Sequence, residues 1–184
     1  MGKLVGVREQ RHQPIYDSLV RDDASGTIAT RTSLFGNTNV GDTKDSNMEA
    51  AGQLASDKTY VVLALRSYLN FATSAFYRKV GNELYFNFFV GDKSQFQAPI
   101  WYAPSGGGIH GYDSTTHFLT NGVPSHEAIL KLAKPIPIPA RQHFRVDMEF
   151  YKLTTSDARA SLSASATIKI IQFILDGVET RDVQ

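Results

Sequence analysis

The strongest constraint on the fold is a residue pattern with a period of two. In His143–Tyr151 (HFRVDMEFY), large apolar side chains alternate with charged ones. Successive side chains on a strand point to opposite faces, so the segment predicts a strand with one buried face and one wet face. Other runs rich in β-branched and aromatic residues also predict strands. They are Thr59–Arg66, Glu83–Val90 and Thr167–Leu175, with Ser67–Arg78 and Ser94–Tyr102 as further candidates.

Helical patterns are few. Ser46-Asn47-Met48-Glu49 matches the capping box S-x-x-E and predicts a short helix over about 47–55. Ser125–Lys134 (SHEAILKLAK) has a capping Ser, an acid in its first turn and an apolar face, and it stops at Pro135. One or two short helices among roughly six to eight strands indicate an all-β sandwich or barrel.

Proline and glycine mark the ends of the predicted strands. Pro135, Pro137 and Pro139 alternate in KPIPIPA. Proline cannot donate to a strand ladder, so this stretch predicts an edge strand or a strand entrance. The pair Asp176-Gly177 predicts a turn that closes the last strand.

The first 47 residues differ from the rest of the chain. Ser25–Asn47 is rich in small polar residues and cannot bury enough apolar surface to offset its own ordering entropy. It is either a disordered tail or an arm that becomes ordered along a neighbouring subunit. We therefore divide the chain into an extended N-terminal arm, 1–47, and one domain, 48–184. Four apolar side chains are spaced like anchors of such an arm: Ile28, Leu34, Phe35 and Val40.

Composition excludes several classes of function. The 184 residues are enough for one substantial core. A net charge of +1, without a basic cluster, argues against nonspecific nucleic-acid binding. The lack of cysteine excludes disulfides, thiolate catalysis and sulfur-ligated zinc. The longest apolar runs, such as Tyr60–Leu65, are far shorter than the ~20 residues of a membrane-spanning helix.

The glycine-rich stretch 103–118 (APSGGGIHGYDSTTHF) contains the strongest candidate for a chemical site. It lacks the Lys and the following helix of a phosphate-binding loop, and no βαβ unit surrounds its glycines. His110, Asp113 and His117 are ligand types found at iron or zinc centres. A polar rim loop is the preferred interpretation, because Asp, Ser and Thr favour turns. We therefore predict no metal or cofactor site.

Other catalytic patterns are also weak. No G-x-S-x-G elbow is present to expose a nucleophilic serine. Asp147 and Glu149 share a strand face, but as the wet side of an amphipathic strand. Trp101 and Tyr102 could stack on a sugar or lie in the core. On these grounds we expect the chain not to be an enzyme.

Four stretches together resemble one family of virus proteins. They are AAGQLASDKTYVVLALRSYLNF (50–71), FNFFVGDKSQFQAPIWYAPSGGGIHG (86–111), NGVPSHEAILKLAKPIPIPARQHFRVDMEF (121–150) and IKIIQFILDGVETRDVQ (168–184). The chain resembles the small major capsid proteins of tailless, icosahedral bacteriophages with an internal membrane, and the resemblance covers roughly 48–184. It implies a single eight-stranded jelly roll, in which two four-stranded antiparallel sheets pack face to face.

The resemblance also implies a function. The chain would be a major capsid subunit, made in the host cytoplasm, that assembles with copies of itself and a second capsid protein around a membrane and genome. No cofactor, no small-molecule substrate and no sequence-specific nucleic-acid contact are expected. Arg141, Arg181 and Asp182 join the four arm residues as interface candidates. Two alternatives stay open: a carbohydrate-binding jelly-roll module, such as a phage spike or adhesin domain, and a cupin-like metalloenzyme that uses His110, Asp113 and His117.

Overall fold

The computed structural model of the chain describes residues 7–21, 31–36, 45–69, 82–105, 125, 127–150 and 168–182. Nine strands lie in these ranges, and a short 3-10 turn, Ile100–Tyr102, follows β6. The strands are β1 Arg8–His12, β2 Ile15–Arg21, β3 Arg31–Leu34, β4 Lys58–Leu69, β5 Leu84–Val90, β6 Lys93–Pro99, β7 Leu130–Ile138, β8 Phe144–Phe150 and β9 Ile168–Asp182.

The strands form two antiparallel sheets. The first sheet has the order β1-β9-β4-β7, and β2 also pairs with β9. Because β4 occupies one edge of β9, β1 and β2 follow each other along the opposite edge. The second sheet has the order β3-β8-β5-β6. The predicted all-β sandwich is thus confirmed.

One hydrophobic core lies between the sheets. The Phe86 ring of β5 and the Phe173 ring of β9 meet across it, with their centroids 4.9 Å apart. Fully burying such a side chain stabilises the fold by about 1.5–3 kcal/mol. The alternation predicted for β8 is confirmed, because its apolar side chains face this core. The largest fully buried side chains are Phe35, Tyr60, Leu65, Leu84, Phe86, Phe88, Ile100, Ile138, Phe144, Met148 and Phe173.

The helix predicted over 47–55 is wrong. The Ser46 hydroxyl accepts a hydrogen bond from the Met48 backbone two residues on (3.3 Å), which is a turn rather than a helix cap. Glu49 pairs with Lys58 and does not complete a capping box. An isolated bridge joins Ala50 to Gln53, so this segment is a compact turn.

The helix predicted over Ser125–Lys134 is also wrong, because its second half, from Leu130 on, belongs to β7. The Ser125 hydroxyl does accept a hydrogen bond from the Glu127 backbone N–H (3.2 Å), but this turn does not continue into a helix. Residues that precede proline disfavour helical dihedrals, and Leu130 and Leu132 pack against the core. The proline-based prediction is confirmed, since among the described strands β7 pairs with β4 alone.

The turn predicted at Asp176-Gly177 is absent, and β9 runs through it to Asp182. Gly177 lies opposite Val62, beside an irregularity in the β4–β9 ladder. A Cβ on Gly177 would lie 2.0 Å from the Val61 carbonyl oxygen. The glycine thus permits a close approach of two strands rather than a reversal of the chain.

The structure corrects the predicted boundary between the arm, 1–47, and the domain. β1 and β2 pair with β9, and β3 pairs with β8, so these strands are parts of the sandwich. Leu34 and Phe35 are each 2% exposed and belong to the core of their own chain. The Phe35 backbone, at φ 66, donates to the buried Asp17 carboxylate (2.6 Å), which holds the end of β3 on β2. Leu34 and Phe35 are therefore anchored by burial in the core of their own chain.

Candidate functional site

Several predicted site residues lie outside the described residues. They are the metal candidates His110, Asp113 and His117 and the arm residues Ile28 and Val40. Within the ranges that the structure describes, no group of three or more His, Asp or Glu side chains could hold a metal ion. The described surfaces offer four other features.

A ladder of ion pairs joins β1 to the end of β9. Arg8 pairs with Asp182 (3.3 Å), and Glu9 accepts two hydrogen bonds from Arg181 (2.7 and 2.9 Å). The hydrogen bond and charge of Glu9 raise the pKa of Arg181 above its ordinary value. Arg181 and Asp182, predicted at an interface, thus already have partners within the chain. Exposed pairs of this kind contribute little to stability, because solvent screens them.

The ladder continues inward to a small cleft. Arg11 donates to the buried Glu179 carboxylate through two nitrogens (2.8 and 2.9 Å). The cleft beside this pair has a volume of about 160 Å³, below the roughly 300–1,000 Å³ typical of ligand pockets. Its charged side chains pair with one another. Lys58 pairs with Glu49, and Arg11 pairs with Glu179. The cleft is therefore too small and too well compensated for a substrate of ordinary size.

A second ion cluster lies on the outer face of the first sheet. His12 Nε2 lies 2.6 Å from Asp176 Oδ1, and Arg66 donates to Asp176 Oδ2. The Asp176 carboxylate is largely buried, whereas the His12 ring is exposed. Asp176 belongs to β9, His12 to β1 and Arg66 to β4. The cluster therefore links β1 to β4 across β9.

A third charged group lies on the outer face of the second sheet. The buried Asp147 carboxylate accepts hydrogen bonds from Ser33, from Arg31 (2.7 Å) and from Arg145 (3.3 Å). Burial alone would raise the pKa of Asp147, but these hydrogen bonds outweigh burial and hold the pKa below its ordinary value. A general acid in glycoside hydrolysis needs a raised pKa. Asp147 and its neighbour Glu149, which faces Arg31 at 3.6 Å, therefore form a structural network.

The fourth feature is an exposed aromatic pair, Trp101 and Tyr102. Their exposed fractions are 61% and 48%, so the interpretation of these two as core residues is wrong. The Tyr102 ring stacks on Phe96 with an angle of 11° between planes, and Trp101 meets Tyr102 edge-on. Ala103, directly after the pair, is fully buried, and its carbonyl accepts two hydrogen bonds from Ser67 (2.6 and 2.8 Å). The turn therefore presents both rings on a fixed backbone.

Arg141 lies in the turn between β7 and β8. Its side chain is exposed, its φ is 59, and its backbone donates to the Leu54 carbonyl (3.3 Å). An interface role for Arg141 stays a prediction.

Sequence reasoning missed the pairing of β1 with β9, although a signal existed. Arg8-Glu9-Gln10-Arg11, set antiparallel to Glu179–Asp182 (ETRD), places opposite charges together at three positions. The net charge of the first residues does not reveal this signal, because it depends on the order of the charges in two distant segments.

No family model, no curated protein and no solved structure matches the chain. Among its described residues, none of the helical segments is both long and apolar enough to cross a bilayer.

Proposed function

We propose that the chain is a structural virion protein, a major capsid subunit that assembles with copies of itself and a second capsid protein. The shell would be icosahedral and would enclose a membrane and the genome. The observation that carries this proposal is the order of the strands in the two sheets.

The strand order supports an eight-stranded jelly roll. With β1 set aside, the first sheet reads β2-β9-β4-β7 and the second reads β3-β8-β5-β6. From β2 to β9, every connection changes sheet except the one between β5 and β6. A jelly roll divides its eight strands between two sheets through two Greek keys, and viral capsid domains use this fold. In this proposal β1 is an additional strand beside β2.

The charges of the molecule support close packing of identical copies. A net charge of +1 causes little repulsion between neighbouring subunits. The described charge clusters are compensated within the chain by ion pairs such as Arg181–Glu9 and Arg31–Asp147. These groups support the fold, and our proposal gives the chain a structural rather than an enzymatic role.

The decisive experiment is a measurement of the assembly state. Purified protein, alone and mixed with a second capsid protein from the same source, is measured by size-exclusion chromatography with light scattering and by electron microscopy. We expect defined oligomers, hexagonal sheets or shells. A chain that stays monomeric at high concentration in both preparations would contradict the proposal.

The exposed Trp101 and Tyr102 favour a second candidate, a carbohydrate-binding jelly-roll module. Exposed aromatic rings offer a flat apolar face and a polar edge, which suits stacking. Trp101 is the single tryptophan of the chain, so its fluorescence reports directly on that surface. A saturable fluorescence change on titration with saccharides would favour this candidate, and an unchanged spectrum would remove it.

A further inference from the structure

The aromatic pair and a row of prolines lie on the same side of the sandwich. The Phe35–Asp17 hydrogen bond holds the β2 and β3 edges together, so β7 and β6, at the other ends of their sheets, share the opposite side. The proline row consists of Pro135, Pro137 and Pro139, which are all exposed. Two chemically distinct surfaces thus occupy one flank of the molecule.

Within one copy, Pro137 at the middle of the row lies far along β4 from the aromatic pair. Ala103, next to the aromatic pair, is bonded to Ser67, whereas Pro137 lies opposite Val61 on the same strand, β4. At about 3.3 Å per residue, the two points are roughly 20 Å apart. A contact between the aromatic pair and Pro137 would therefore form between copies.

The proline row limits the kind of contact that β7 can make. Pro135 and Pro137 lack a backbone N–H, so the edge of β7 that no other described strand pairs with cannot extend the sheet by regular ladder pairing. A partner must instead contact the side chains. Proline rings in extended segments pack on aromatic side chains, and their restricted backbone loses little entropy on binding. The exposed Lys134 beside the row adds a cation of the kind that indole faces attract.

The aromatic pair has the properties expected of the matching surface. Trp and Tyr are enriched among the residues that dominate binding energy at interfaces. The backbone of the pair is fixed at both ends, by the buried Ile100 and by the bonds from Ser67 to Ala103. Little conformational freedom would be lost when the rings are covered.

We propose that the aromatic pair of one copy packs against the proline row of a second copy of this chain. The inference rests on the proposed assembly function and names a contact by which it occurs. Covering Trp101 removes its indole from water, so its emission should shift to shorter wavelength as the protein concentration rises.

The test uses full-length variants and light scattering over a concentration series. Trp101→Ala removes the main ring, and Pro135→Glu/Pro137→Glu/Pro139→Glu removes the row while its charges discourage the ladder pairing that restored N–H groups would allow. We expect each variant to raise the dissociation constant of self-association at least roughly tenfold, as loss of a dominant interface residue does. Val7→Ser, an exposed apolar residue beside β1 on the other flank, should leave association unchanged. Circular dichroism melts check that each monomer is folded.

A mixing experiment tests whether the contact joins the aromatic pair of one copy to the proline row of another. The Trp101→Ala chain keeps its prolines and the triple proline variant keeps its tryptophan. Each alone should stay dissociated, whereas a 1:1 mixture should form heterodimers with a blue-shifted Trp101 emission. Association of either variant at wild-type strength, or a mixture no stronger than its components, would overturn the inference.

The outcomes separate this inference from the proposal on which it rests. Assembly that leaves Trp101 emission and both variants unaffected removes the contact but keeps the assembly function. A wild-type chain that does not associate at all removes both. A Trp101 response to saccharide without self-association also overturns the inference and assigns the aromatic pair to ligand binding.

Discussion

At the scale of single residues, Gly177 shows that a sheet can require a residue without a side chain. The glycine lies at a close approach of β9 to β4, beside the irregularity in their ladder. The Val61 carbonyl oxygen occupies the place that a Cβ would take. Since that oxygen belongs to the backbone, relief of the clash would require the two strands to separate.

We predict that Gly177→Ala destabilises the protein by about 3 kcal/mol or more, because overpacking against backbone distorts the ladder. Gly36→Ala is the matched control, since the nearest atoms to its Cβ lie 3.8 and 4.0 Å away. It should change stability by less than about 1 kcal/mol. Urea denaturation measures both, and similar midpoints for the two variants would contradict the prediction.

The buried Asp147 predicts a pH dependence of stability. Its native pKa is lowered, so its contribution is fully present above the ordinary aspartate pKa of about 3.9. The contribution is lost as the pH falls below that value towards the lowered native pKa. Asp147→Asn should cost about 1–3 kcal/mol at neutral pH, where hydrogen bonds to a charged group are lost.

The measurement is the free energy of unfolding between neutral pH and about pH 3. We expect the difference between wild type and Asp147→Asn to shrink on acidification. A difference that stays constant over this range would show that the charge of Asp147 does not matter. Glu149→Gln is the control, because its exposed carboxylate makes only a 3.6 Å contact with Arg31.

At the scale of elements, β1 is held differently from every other strand of the first sheet. Its side chains are mostly exposed, and its attachments are the β9 ladder and ion pairs such as Glu9–Arg181. β2, on the same edge of β9, places Ile15 in the core. The Tyr60 hydroxyl contacts the Gln13 carbonyl (2.7 Å), which fixes the corner between the two strands.

We predict that β1 is the least protected strand of the first sheet. Salt screens exposed ion pairs, so raising ionic strength from about 0.01 M to about 1 M should speed amide exchange in β1. Exchange in β2 should change much less, since apolar burial holds it. Hydrogen–deuterium exchange with mass spectrometry resolves the two peptides, and equal salt responses would count against the prediction.

The elements also show how far sequence reasoning reaches. β8 was predictable because its apolar side chains alternate with charged ones, although Asp147 on the outer face is buried by its partners. β7 could be identified as an edge through its prolines. The strand conformation of β7 from Leu130 could not be predicted, because Ser125 gives a local helix-capping signal. The packing of Leu130 and Leu132 depends on residues distant in the chain and gives no local signal. The aromatic pair could be named from sequence, but its exposure follows from the Ala103–Ser67 bonds, which join residues distant in the chain.

At the scale of the whole molecule, the N-terminal strands and the C-terminal strand complete one sandwich. Ile15, Leu34 and Phe35 belong to the same core as the later strands. The polar composition of the first 47 residues does not indicate that they join the core, because a few apolar residues can anchor a segment when each is buried. The domain therefore needs the strands before residue 48.

We predict that a chain truncated to 48–184 does not fold cooperatively. Without β2 and β3, one edge of β9 and one of β8 lose their partners, and open edges promote aggregation. A chain that begins at Val7 keeps all nine strands and should melt in one transition. Calorimetry of both chains checks this, and a truncated chain with the melting temperature of the longer one would refute it.

The length of β9 has a consequence for synthesis. β9 pairs with β1, β2 and β4, so it is the only described strand through which the N-terminal pair joins its sheet. During translation β1 and β2 are made long before their partner β9, and pairing over such a separation is slow. Nascent chains should therefore resist protease only once β9 has left the ribosome and entered between the strands already made.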